Sequence, residues 1–488
     1  MEKTPIILTA DEGLMSDFGG HLYNGYATCF PTNFFTKSLF KKMCQPIECY
    51  PDGRVKFAPL SLRIIEAILH HYGFDKNKYA IIHPTHLDRF INHKTKIVGI
   101  SAMDPRGLGP IPTTFCSIMG GTPYSKILFN TLLKRVKALK KKYSFNVIVG
   151  GPGAWQLADN RILDAYGIDY LIIGEAEKIV PNLFSELIYD GIANSPRIIR
   201  GEAPEVEEIL PVLQPTINGL VEVSRGCGRG CAWCSSATRV MRCIPIEIIK
   251  KSVEANVKGN MTNITLQSDD VLLYGAKTSK FVPDPDEALM LLGEIYSVKG
   301  VRSISLLHFT FGSIVSSPNL ISKITDFLKK RGSTRFEVQI GIESGSPHII
   351  EKYMPGKALP FTPEEWPKIV REAAQILREN KWFCYATLMI GFPDESAEDI
   401  AYTVKIIREL KGYPMAFIPL LFVPTINIIR RKYPCSKEFL RKFAPLFHEV
   451  LKHNEDLMFQ QNSNSSFTSV LSLLNIVLRH TYHSLNHD

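Results

Sequence analysis

Residues 219–234 read GLVEVSRGCGRGCAWC, an apolar, strand-like run that leads directly into three closely spaced cysteines. These cysteines, Cys227, Cys231 and Cys234, follow the pattern C-x3-C-x2-C with glycines before and between them. Glycine tolerates backbone angles that other residues avoid, so this loop can wrap around a compact metal group. Because the loop directly follows a strand, we expect it at the carboxyl end of the first strand of a domain.

Three thiolates at this spacing favour an iron–sulfur cluster. A structural zinc ion needs four closed ligands, usually as two separated pairs, and the spacing of a fourth ligand at Cys243 would be unusual. A four-iron cluster held by three cysteines leaves one iron to which S-adenosylmethionine (SAM) can bind through its amino and carboxylate groups. An electron from the cluster would then cleave a carbon–sulfur bond and give a 5′-deoxyadenosyl radical. Trp233 has two interpretations, as a platform for the adenine or as a core residue of the domain.

Apolar strands alternate with helices on both sides of the cysteine loop, which predicts an α/β fold. We expect an N-terminal doubly wound parallel sheet over 1–200, a proline-containing linker over 201–218, a partial (β/α)6 barrel over 219–428 and a small helical C-terminal region over 429–488. Strands are predicted at 5–10, 80–84, 96–104, 145–153, 168–177, 263–270, 303–311, 336–345, 384–393 and 416–424, and helices at 61–71, 126–143, 364–380 and 397–411.

The bulk composition indicates an ordinary globular protein. The 488 residues are 45% hydrophobic and 22% charged, and a net charge of +9 is a mild excess for this length. The N-terminus reads as a buried strand and not as a signal peptide, and no run reaches the roughly 18 to 20 apolar residues that span a bilayer. Seven of the ten cysteines are scattered, unlike a secreted disulfide framework. We therefore expect a cytoplasmic protein with one metal site.

The cysteine pattern, with an aromatic residue before its last cysteine, resembles the signature of radical SAM enzymes. The resemblance implies that the stretch Ser268-Asp269-Asp270 grips the SAM amino group, although that family usually has Gly-Gly-Glu there. A solvated loop acid or helix cap is the alternative for either aspartate. Glu343 and Ser344, at the end of a later strand, are expected to meet the ribose or methionine part of SAM. The loop 390–396 is expected to touch adenine through its backbone, whereas His308 is interpreted as a satisfied core histidine.

A doubly wound domain ahead of such a barrel resembles the cobalamin-binding arrangement of cobalamin-dependent radical SAM enzymes. The stretches VIVGGPGAW (147–155) and IDYLIIGEAE (168–177) carry this resemblance. It implies that glycines at the strand ends let the backbone approach a flat corrin ring closely. The expected cobalamin-binding residues are Asp104, Gly107, Gly150, Gly151, Gly153, Gly174 and Glu175.

The histidine that coordinates cobalt in other cobalamin proteins has no counterpart in this sequence. The motif D-x-H-x-x-G is missing, and its nearest match, Asp104-Pro-Arg-Gly-Leu-Gly109, has Arg106 at the histidine position. We therefore expect cobalamin without a histidine ligand. His83 and His86 could be proposed instead, but a loop histidine is usually no ligand.

The combination of these motifs over residues 1 to 430 is similar to an archaeal group that includes the ring synthases of tetraether membrane lipids. This resemblance implies an enzyme that acts on unactivated C–H bonds, closing rings on a lipid chain or methylating carbon. A methyltransferase or methylthiotransferase acting on a small molecule, a protein or tRNA is the second hypothesis. A non-enzymatic iron–sulfur or cobalamin-binding module is the third.

The expected partners follow from this chemistry. They are an electron donor of the ferredoxin or flavodoxin type and a lipid or other small-molecule substrate, with no nucleic acid. The segment 430–453 has a basic start and apolar residues at helical spacing, with Pro445 as an interruption. Two interpretations remain open, a helix packed on the barrel and an interfacial segment that makes a peripheral contact with an anionic membrane.

Overall fold

A computed structural model of the chain describes residues 4–20, 22–234, 239–277, 280–424, 436–460, 472 and 475–479. These residues form two compact units. Unit 1 contains the described residues within Met1–Pro112, Gly121–Leu220 and Glu247–Met261, and unit 2 contains those within Thr113–Gly120, Val221–Ile246 and Thr262–Asp488.

Unit 1 is built on a six-stranded parallel sheet with helices on both faces. Alternate strand residues enter two separate cores: Ile6 and Leu8 pack with helices on one face, and Ile7 packs with helices on the other. This is the doubly wound arrangement that the sequence predicted. The strands are β1 Ile6–Ala10, β2 Tyr79–Ile81, β3 Ile97–Ser101, β4 Asn146–Gly150, β5 Tyr170–Ile173 and β6 Ile198–Arg200, and the helices are α1 Lys37–Met43, α2 Leu60–His71, α3 Leu87–Phe90, α4 Pro110–Met119 (shared with unit 2), α5 Tyr124–Lys140, α6 Asn160–Tyr166, α7 Val180–Tyr189 and α8 Ile246–Lys258.

The strand order of this sheet is β2-β1-β3-β4-β5-β6, so the order reverses between β1 and β3. In open parallel sheets, ligands bind beyond the carboxyl ends of the strands at such a reversal. Ser101 at the end of β3 is in register with Gly150 at the end of β4, so the loops that follow these strands share one edge. The expected cobalamin-binding residues lie in these loops and in the loop after β5.

The segment interpreted as a linker, 201–218, makes defined contacts inside unit 1. Val212 and Ile217 are buried. The Thr216 backbone N–H donates to the Asn256 side chain of α8 at 2.9 Å, and the Val212 backbone N–H donates to the Ser252 hydroxyl of the same helix at 3.2 Å. The sequence did not predict this packing, because the segment has three prolines and no regular period of apolar residues.

Unit 2 contains the strands of a partial barrel. One sheet has the order β7-β10-β11 and another the order β12-β13-β14. A parallel bridge between His308 and Gln339 joins the two edges, which gives the six strands that the sequence predicted. The elements are β7 Leu220–Glu222 (its first residue in unit 1), β8 Ser224–Arg225, β9 Arg242–Cys243, β10 Asn263–Gln267, β11 Ser303–Leu306, β12 Glu337–Glu343, β13 Phe383–Ile390, β14 Met415–Leu421, α9 Pro285–Ser297, α10 Phe311–Ser316, α11 Pro318–Lys329, α12 Pro347–Tyr353, α13 Trp366–Glu379 and α14 Ala397–Glu409.

Two further helices follow the barrel, α15 Lys437–Lys442 and α16 Ala444–Gln460. The second begins beside Pro445, which restarts the helix as the sequence predicted. The apolar residues of this region are turned into unit 2, because Leu440, Phe443, Leu446, Phe447, Val450 and Leu451 are all buried. The part of segment 430–453 that the structure describes therefore packs on the protein, as in the first of the two interpretations, and residues 430–435 lie outside the described chain. Among the described helices, none is long and apolar enough to cross a membrane.

Candidate active site

The three glycines of the cysteine loop all adopt left-handed backbone angles. The φ values are 81° at Gly226, 76° at Gly228 and 71° at Gly230. A Cβ atom added at Gly226 would lie 2.5 Å from the backbone oxygen of Val240. A residue with a side chain would therefore strain this turn, and the wrapped loop that the glycines predicted is present.

The thiols of this loop are shielded from water. Burial raises the pKa of Cys227 to about 12 and that of Cys231 to about 11, so both thiols are protonated at neutral pH without a metal. Metal binding would release these protons. Cys243 is engaged elsewhere, since its sulfur accepts a hydrogen bond from the Gly275 backbone N–H at 3.3 Å.

Acidic side chains at later strand ends, and one lysine after α12, influence the pKa values of the two thiols. Asp269 and Asp270 raise the pKa of the Cys227 thiol, while Glu343 raises and Lys357 lowers that of Cys231; in both thiols burial is the larger cause. Hydrogen bonds give the placement: Gly356, next to Lys357, donates its N–H to the Arg229 carbonyl of the cysteine loop at 2.9 Å, and the Ser268 hydroxyl, next to Asp269, lies 2.6 Å from that of Ser224. The structure therefore brings Asp269 and Glu343, two of the residues expected to bind SAM, to the cysteine loop.

Glu343 has one carboxylate oxygen that is buried and has no protein partner. The other oxygen accepts a hydrogen bond from Thr387 at 3.2 Å and lies 3.5 Å from the ammonium group of Lys357. Burial raises the pKa of this carboxyl group. A buried polar atom without a partner is costly, so the free oxygen points to a ligand with a hydrogen-bond donor. Sequence reasoning missed Lys357, which lies outside every predicted strand end.

Two residues of the stretch Ser268-Asp269-Asp270 have partners within the protein. The Ser268 hydroxyl lies 2.6 Å from that of Ser224, directly before the cysteine loop. Asp270 is fully buried and accepts hydrogen bonds from Thr310 and Ser313, each at 2.6 Å. Asp270 is thus not a solvated loop acid, and its second carboxylate oxygen is buried without a hydrogen-bond partner. Asp269 is half-buried, and its expected role towards SAM stays a prediction.

Ser344 and Trp233 are also placed differently from a simple cofactor contact. Ser344 is fully buried, its hydroxyl accepts from the Ser346 backbone N–H at 3.1 Å, and its carbonyl accepts from Trp366 at 2.8 Å. Its polar atoms therefore hold the turn after β12. Trp233 is half-buried and packs edge-on against Phe392 and Phe422, with ring centroids 5.8 Å away in both cases. It keeps an accessible part that an adenine could cover.

His308 was interpreted as a satisfied residue in the middle of a strand. It follows the end of β11, and its buried Nδ1 atom has no hydrogen-bond partner. Burial lowers its pKa, so the ring is neutral at neutral pH. The ring has a backbone hydrogen-bond partner at Ser268, so the prediction of a satisfied histidine fails only for Nδ1.

The loop that was expected to touch adenine is held together by Glu395. Its carboxylate accepts hydrogen bonds from the backbone N–H groups of Gly391 at 2.7 Å and Phe392 at 3.2 Å. The Glu395 carbonyl accepts a hydrogen bond from Lys442 of α15. A Cβ atom at Gly391 would lie 2.9 Å from the Phe439 ring. Helix α15 therefore covers this loop.

Glu395 should make the stability of the protein depend on pH. Burial raises the pKa of Glu395 to about 7 from the ordinary 4.5. Its protonation therefore stabilises the folded state fully below pH 4.5, and this contribution is lost as the pH rises through about 7. We expect Glu395→Gln to gain stability relative to the natural protein between these pH values, by up to about 3 kcal/mol. Denaturant unfolding at several pH values measures this gain, and an equal gain in Glu398→Gln, at an exposed site, would contradict it.

The loops at the carboxyl edge of unit 1 pack closely on one another. A Cβ atom would lie 2.8 Å from the Ala102 backbone oxygen if added at Gly151, and 2.2 Å from the Met103 oxygen if added at Gly153. A Cβ atom at Gly174 would lie 3.0 Å from the Gly201 oxygen, and at Gly107 it would lie 2.3 Å from Pro123. The close contacts between neighbouring loops therefore require glycine at these four positions, whether or not a corrin ring is bound. Gly150 is different, because its nearest neighbour would lie 3.8 Å away.

Asp104 and Arg106 are tied to the loop after β4 through Gln156. Asp104 accepts from the Gln156 side chain at 2.6 Å and from the Leu108 backbone N–H at 2.9 Å. The Arg106 guanidinium donates to the Gln156 carbonyl at 3.1 Å. Arginine at this position stays charged and cannot coordinate cobalt. Glu175 lies half-buried in the neighbouring loop after β5.

Asp11 and His83 are two buried titratable groups at this edge of unit 1. Asp11 directly follows β1 at the reversal of strand order, a position that sequence reasoning did not single out, and burial raises its pKa to about 6. His83 is buried beside the Thr85 hydroxyl, 2.7 Å from its Nδ1 atom, and burial lowers its pKa to about 4. His83 is therefore neutral.

The residues around the cysteine loop are chemically suited to a four-iron cluster with SAM. Three thiols lie on one loop, and the free oxygen of Glu343 lies on a residue beside Cys231. No three His, Cys, Asp or Glu side chains in the described ranges group closely enough to hold a single metal ion. In a four-iron cluster each thiolate binds a different iron, so the sulfurs stand apart.

Comparison with known families agrees with this chemistry. Residues 221–407 match the family model described as "Radical SAM superfamily". The chain contains a radical SAM domain. This domain, with its relatives, indicates an enzyme that uses a four-iron four-sulfur cluster and SAM.

Two curated relatives of this chain have names that refer to methylthio chemistry. The chain is 26% identical over 247 residues to the ribosomal protein uS12 methylthiotransferase RimO of Petrotoga mobilis, covering 49% of this chain and 52% of the relative. It is 24% identical over 260 residues to a tRNA-2-methylthio-N(6)-dimethylallyladenosine synthase of Geobacillus kaustophilus, covering 51% and 45%. The chain thus spans about half the length of these curated relatives.

Two solved structures have a similar fold. The radical SAM methyltransferase TsrM of Kitasatospora setae, solved with cobalamin and a [4Fe-4S] cluster, superposes with a TM-score of 0.56 at 15% identity, covering 86% of this chain and 75% of that one. The cobalamin-dependent radical SAM enzyme OxsB superposes with a TM-score of 0.54 at 13% identity, covering 99% and 72%. At these identities the likeness concerns the fold alone.

Proposed function

We propose that this protein is a cobalamin-dependent radical SAM enzyme that modifies an unactivated carbon of its substrate. The observation that carries the proposal is the buried, unpartnered oxygen of Glu343 near the cysteine loop. Glu343 lies 3.5 Å from Lys357, whose neighbour Gly356 donates its N–H to the Arg229 carbonyl of that loop at 2.9 Å. When bound, the cluster and SAM supply a 5′-deoxyadenosyl radical that can abstract a hydrogen atom from an inert C–H bond.

The residues of this chain would bind and orient SAM. Glu343 offers its free oxygen to a ribose hydroxyl or an ammonium group, and Lys357 holds the other oxygen in place. Asp269 offers a carboxylate to the SAM amino group. Trp233 and the rings near it exclude water from one side of the loop, which protects a reactive intermediate.

Cobalamin binding is supported by unit 1. Its doubly wound sheet places the expected residues on one edge, and a similar fold in TsrM was solved with cobalamin. A Cβ atom at Gly150, at the end of β4, would meet its nearest neighbour in ordinary van der Waals contact at 3.8 Å. Arg106 replaces the coordinating histidine of other cobalamin proteins. We therefore propose that cobalamin binds at this edge without a protein histidine on cobalt.

Gly150→Trp tests this site. We expect the indole to crowd the proposed cobalamin edge and weaken cobalamin binding by more than about tenfold. The protein should still take up iron, because a Cβ atom at position 150 lies no closer than 3.8 Å to its neighbours. Ultraviolet–visible titration measures cobalamin binding, and iron analysis measures the cluster. Gly293→Trp on α9, also at an open position, is the matched control. Equal cobalamin affinity in both variants would contradict the proposed edge.

The substrate is proposed to be apolar, such as a lipid chain. Trp233 lies in an aromatic group with Tyr353, Phe392 and Phe422, whose ring centroids are 4.7 to 5.8 Å apart. Such a group suits an apolar chain, as the resemblance to the tetraether ring synthases implies. A peripheral contact with a membrane would then deliver the substrate.

Transfer of a methylthio group is the second candidate, because the relatives named above carry that activity in their names. That reaction needs a sulfur donor. Two cysteines of unit 1 that could take part in supplying sulfur are engaged in local contacts, which counts against this candidate. The Cys44 thiol contacts the Asn24 carbonyl at 4.0 Å, and the Cys49 thiol contacts the Ile47 carbonyl at 3.7 Å.

The two candidates separate in one anaerobic experiment. Reduced protein with SAM, cobalamin and a tetraether lipid extract should give 5′-deoxyadenosine and a lipid product, as read by mass spectrometry. A loss of two hydrogens indicates ring closure, and a gain of one CH2 indicates methylation. A methylthio product on tRNA or on a ribosomal protein, with unchanged lipid, would favour the second candidate.

A further inference from the structure

Arg229 lies in the middle of the cysteine loop, between Cys227 and Cys231, yet its side chain is directed into the protein. Only 1% of this side chain is exposed. Buried arginines are rare and are held by partners that offset their desolvation. A permanently charged group is therefore buried in the loop that carries the cluster cysteines.

The Arg229 guanidinium is anchored to several elements of unit 2. It donates to the carbonyls of Gly356 and Leu359, each at 2.9 Å. It also donates to the hydroxyls of Thr310 at 3.0 Å and Ser313 at 3.2 Å. The loop backbone is fixed as well, since the Arg229 carbonyl accepts from the Gly356 N–H at 2.9 Å. The cysteine loop is thereby joined to the start of α10 and to the loop after α12.

Asp270 supplies the opposite charge. Its carboxylate lies 3.6 Å from the Arg229 guanidinium, and its own side chain is also 1% exposed. The hydroxyls of Thr310 and Ser313 contact both side chains. The pair therefore forms a dry network, in which Arg229 Nε and one Asp270 carboxylate oxygen have no hydrogen-bond partner within the protein. Removal of one member leaves the other charge uncompensated.

We propose that Arg229, held by Asp270, is a positioning residue for the cluster: it fixes the cysteine loop, and its charge raises the reduction potential of the cluster that the loop carries. A cation stabilises the more negative, reduced form, and the low dielectric of the interior strengthens this effect. The proposal rests on the cluster-binding part of the proposed function and is independent of the substrate and of cobalamin.

Opposite shifts in the two single variants test the proposal. In Arg229→Met the remaining carboxylate should lower the midpoint potential, whereas in Asp270→Asn the remaining guanidinium should raise it. At a fixed potential we expect the ratio of reduced to oxidised cluster to change by about tenfold in each direction, which corresponds to about 59 mV for one electron. The measurement is a redox titration of full-length, anaerobically reconstituted protein followed by electron paramagnetic resonance.

Two further variants separate charge from geometry and from general damage. Arg229→Lys keeps the charge but loses the forked donor, so it should retain the natural potential while altering the cluster spectrum. Arg63→Met removes a similarly buried arginine of unit 1, which pairs with Glu66 at 2.8 Å. This variant should change neither the potential nor the spectrum of the cluster.

The outcomes also separate this proposal from the proposed function. If the natural protein takes up no four-iron cluster, the proposed function fails. If it does, and both Arg229→Met and Asp270→Asn load about four irons with the natural potential and spectrum, the role of Arg229 is overturned. Shifts of the same sign in both would overturn it too. Loss of the cluster in both, with normal loading in Arg63→Met, supports the positioning role.

Discussion

Replacing Cys231 with alanine is expected to abolish the reductive cleavage of SAM. The thiol is buried in the cysteine loop, and loss of one of three protein ligands leaves a cluster with two open irons that does not survive. Cys227→Ala and Cys234→Ala should behave alike. The measurement is 5′-deoxyadenosine formed by reduced protein, quantified by liquid chromatography and mass spectrometry, and the expected loss is at least about a thousandfold.

Cys243→Ala is the matched control for this experiment. Cys243 lies near the same loop, since it pairs with Ser224 across β8 and β9, but its sulfur is bonded to the Gly275 N–H. The variant should keep about four irons and near-natural cleavage of SAM. If it alone loses the metal, the fourth ligand comes from the protein and the radical chemistry is wrong.

Glu343→Gln is expected to weaken SAM binding by about 10- to 100-fold. The substitution removes the charge that would accept a hydrogen bond at the free oxygen, and hydrogen bonds to charged groups contribute about 1.5–3 kcal/mol. It also leaves the Lys357 ammonium group, 3.5 Å away, without its counterion. Isothermal titration calorimetry of the reconstituted protein with SAM, under anaerobic conditions, gives the dissociation constant.

Glu337→Gln controls for the loss of a carboxylate on the same strand. Glu337 begins β12, whereas Glu343 ends it, and Glu337 pairs with Arg335 at 3.2 Å. Its substitution should leave SAM affinity unchanged, and thermal unfolding shows whether either variant is damaged. Equal affinities of Glu343→Gln and the natural protein would remove Glu343 from the SAM site.

The chemistry of the cysteine loop could be predicted because it is local in sequence. Three cysteines and three glycines within a short stretch define both the ligands and the backbone that can hold them. The alternation of strands and helices is also local in sequence, and it predicted the sheet of unit 1 and the barrel strands of unit 2. Nearly all predicted strands ran past their observed ends, since apolar residues such as Phe309 and Phe311 continue beyond β11 into the following loop and helix.

The roles of Asp270 and Lys357 could not be predicted, because their partners are distant in sequence. Asp270 was expected to bind SAM, and its carboxylate lies 3.6 Å from a guanidinium that only the folded chain brings near. The sequence did contain one signal for this ion pair. Arg229 lies between two cluster cysteines, at a position where glycine would suffice. Lys357 gave no such signal, since a lysine after a helix usually points into water.

The central claim is that the cysteine loop carries a four-iron cluster with one iron open to SAM. Electron paramagnetic resonance of the reduced, reconstituted full-length protein, recorded without and with SAM, tests this most directly. We expect the signal of a reduced four-iron cluster, with g values that shift when SAM is added, because SAM binds the iron that has no cysteine. A spectrum that is the same with and without SAM, in protein containing about four irons per chain, would contradict the account.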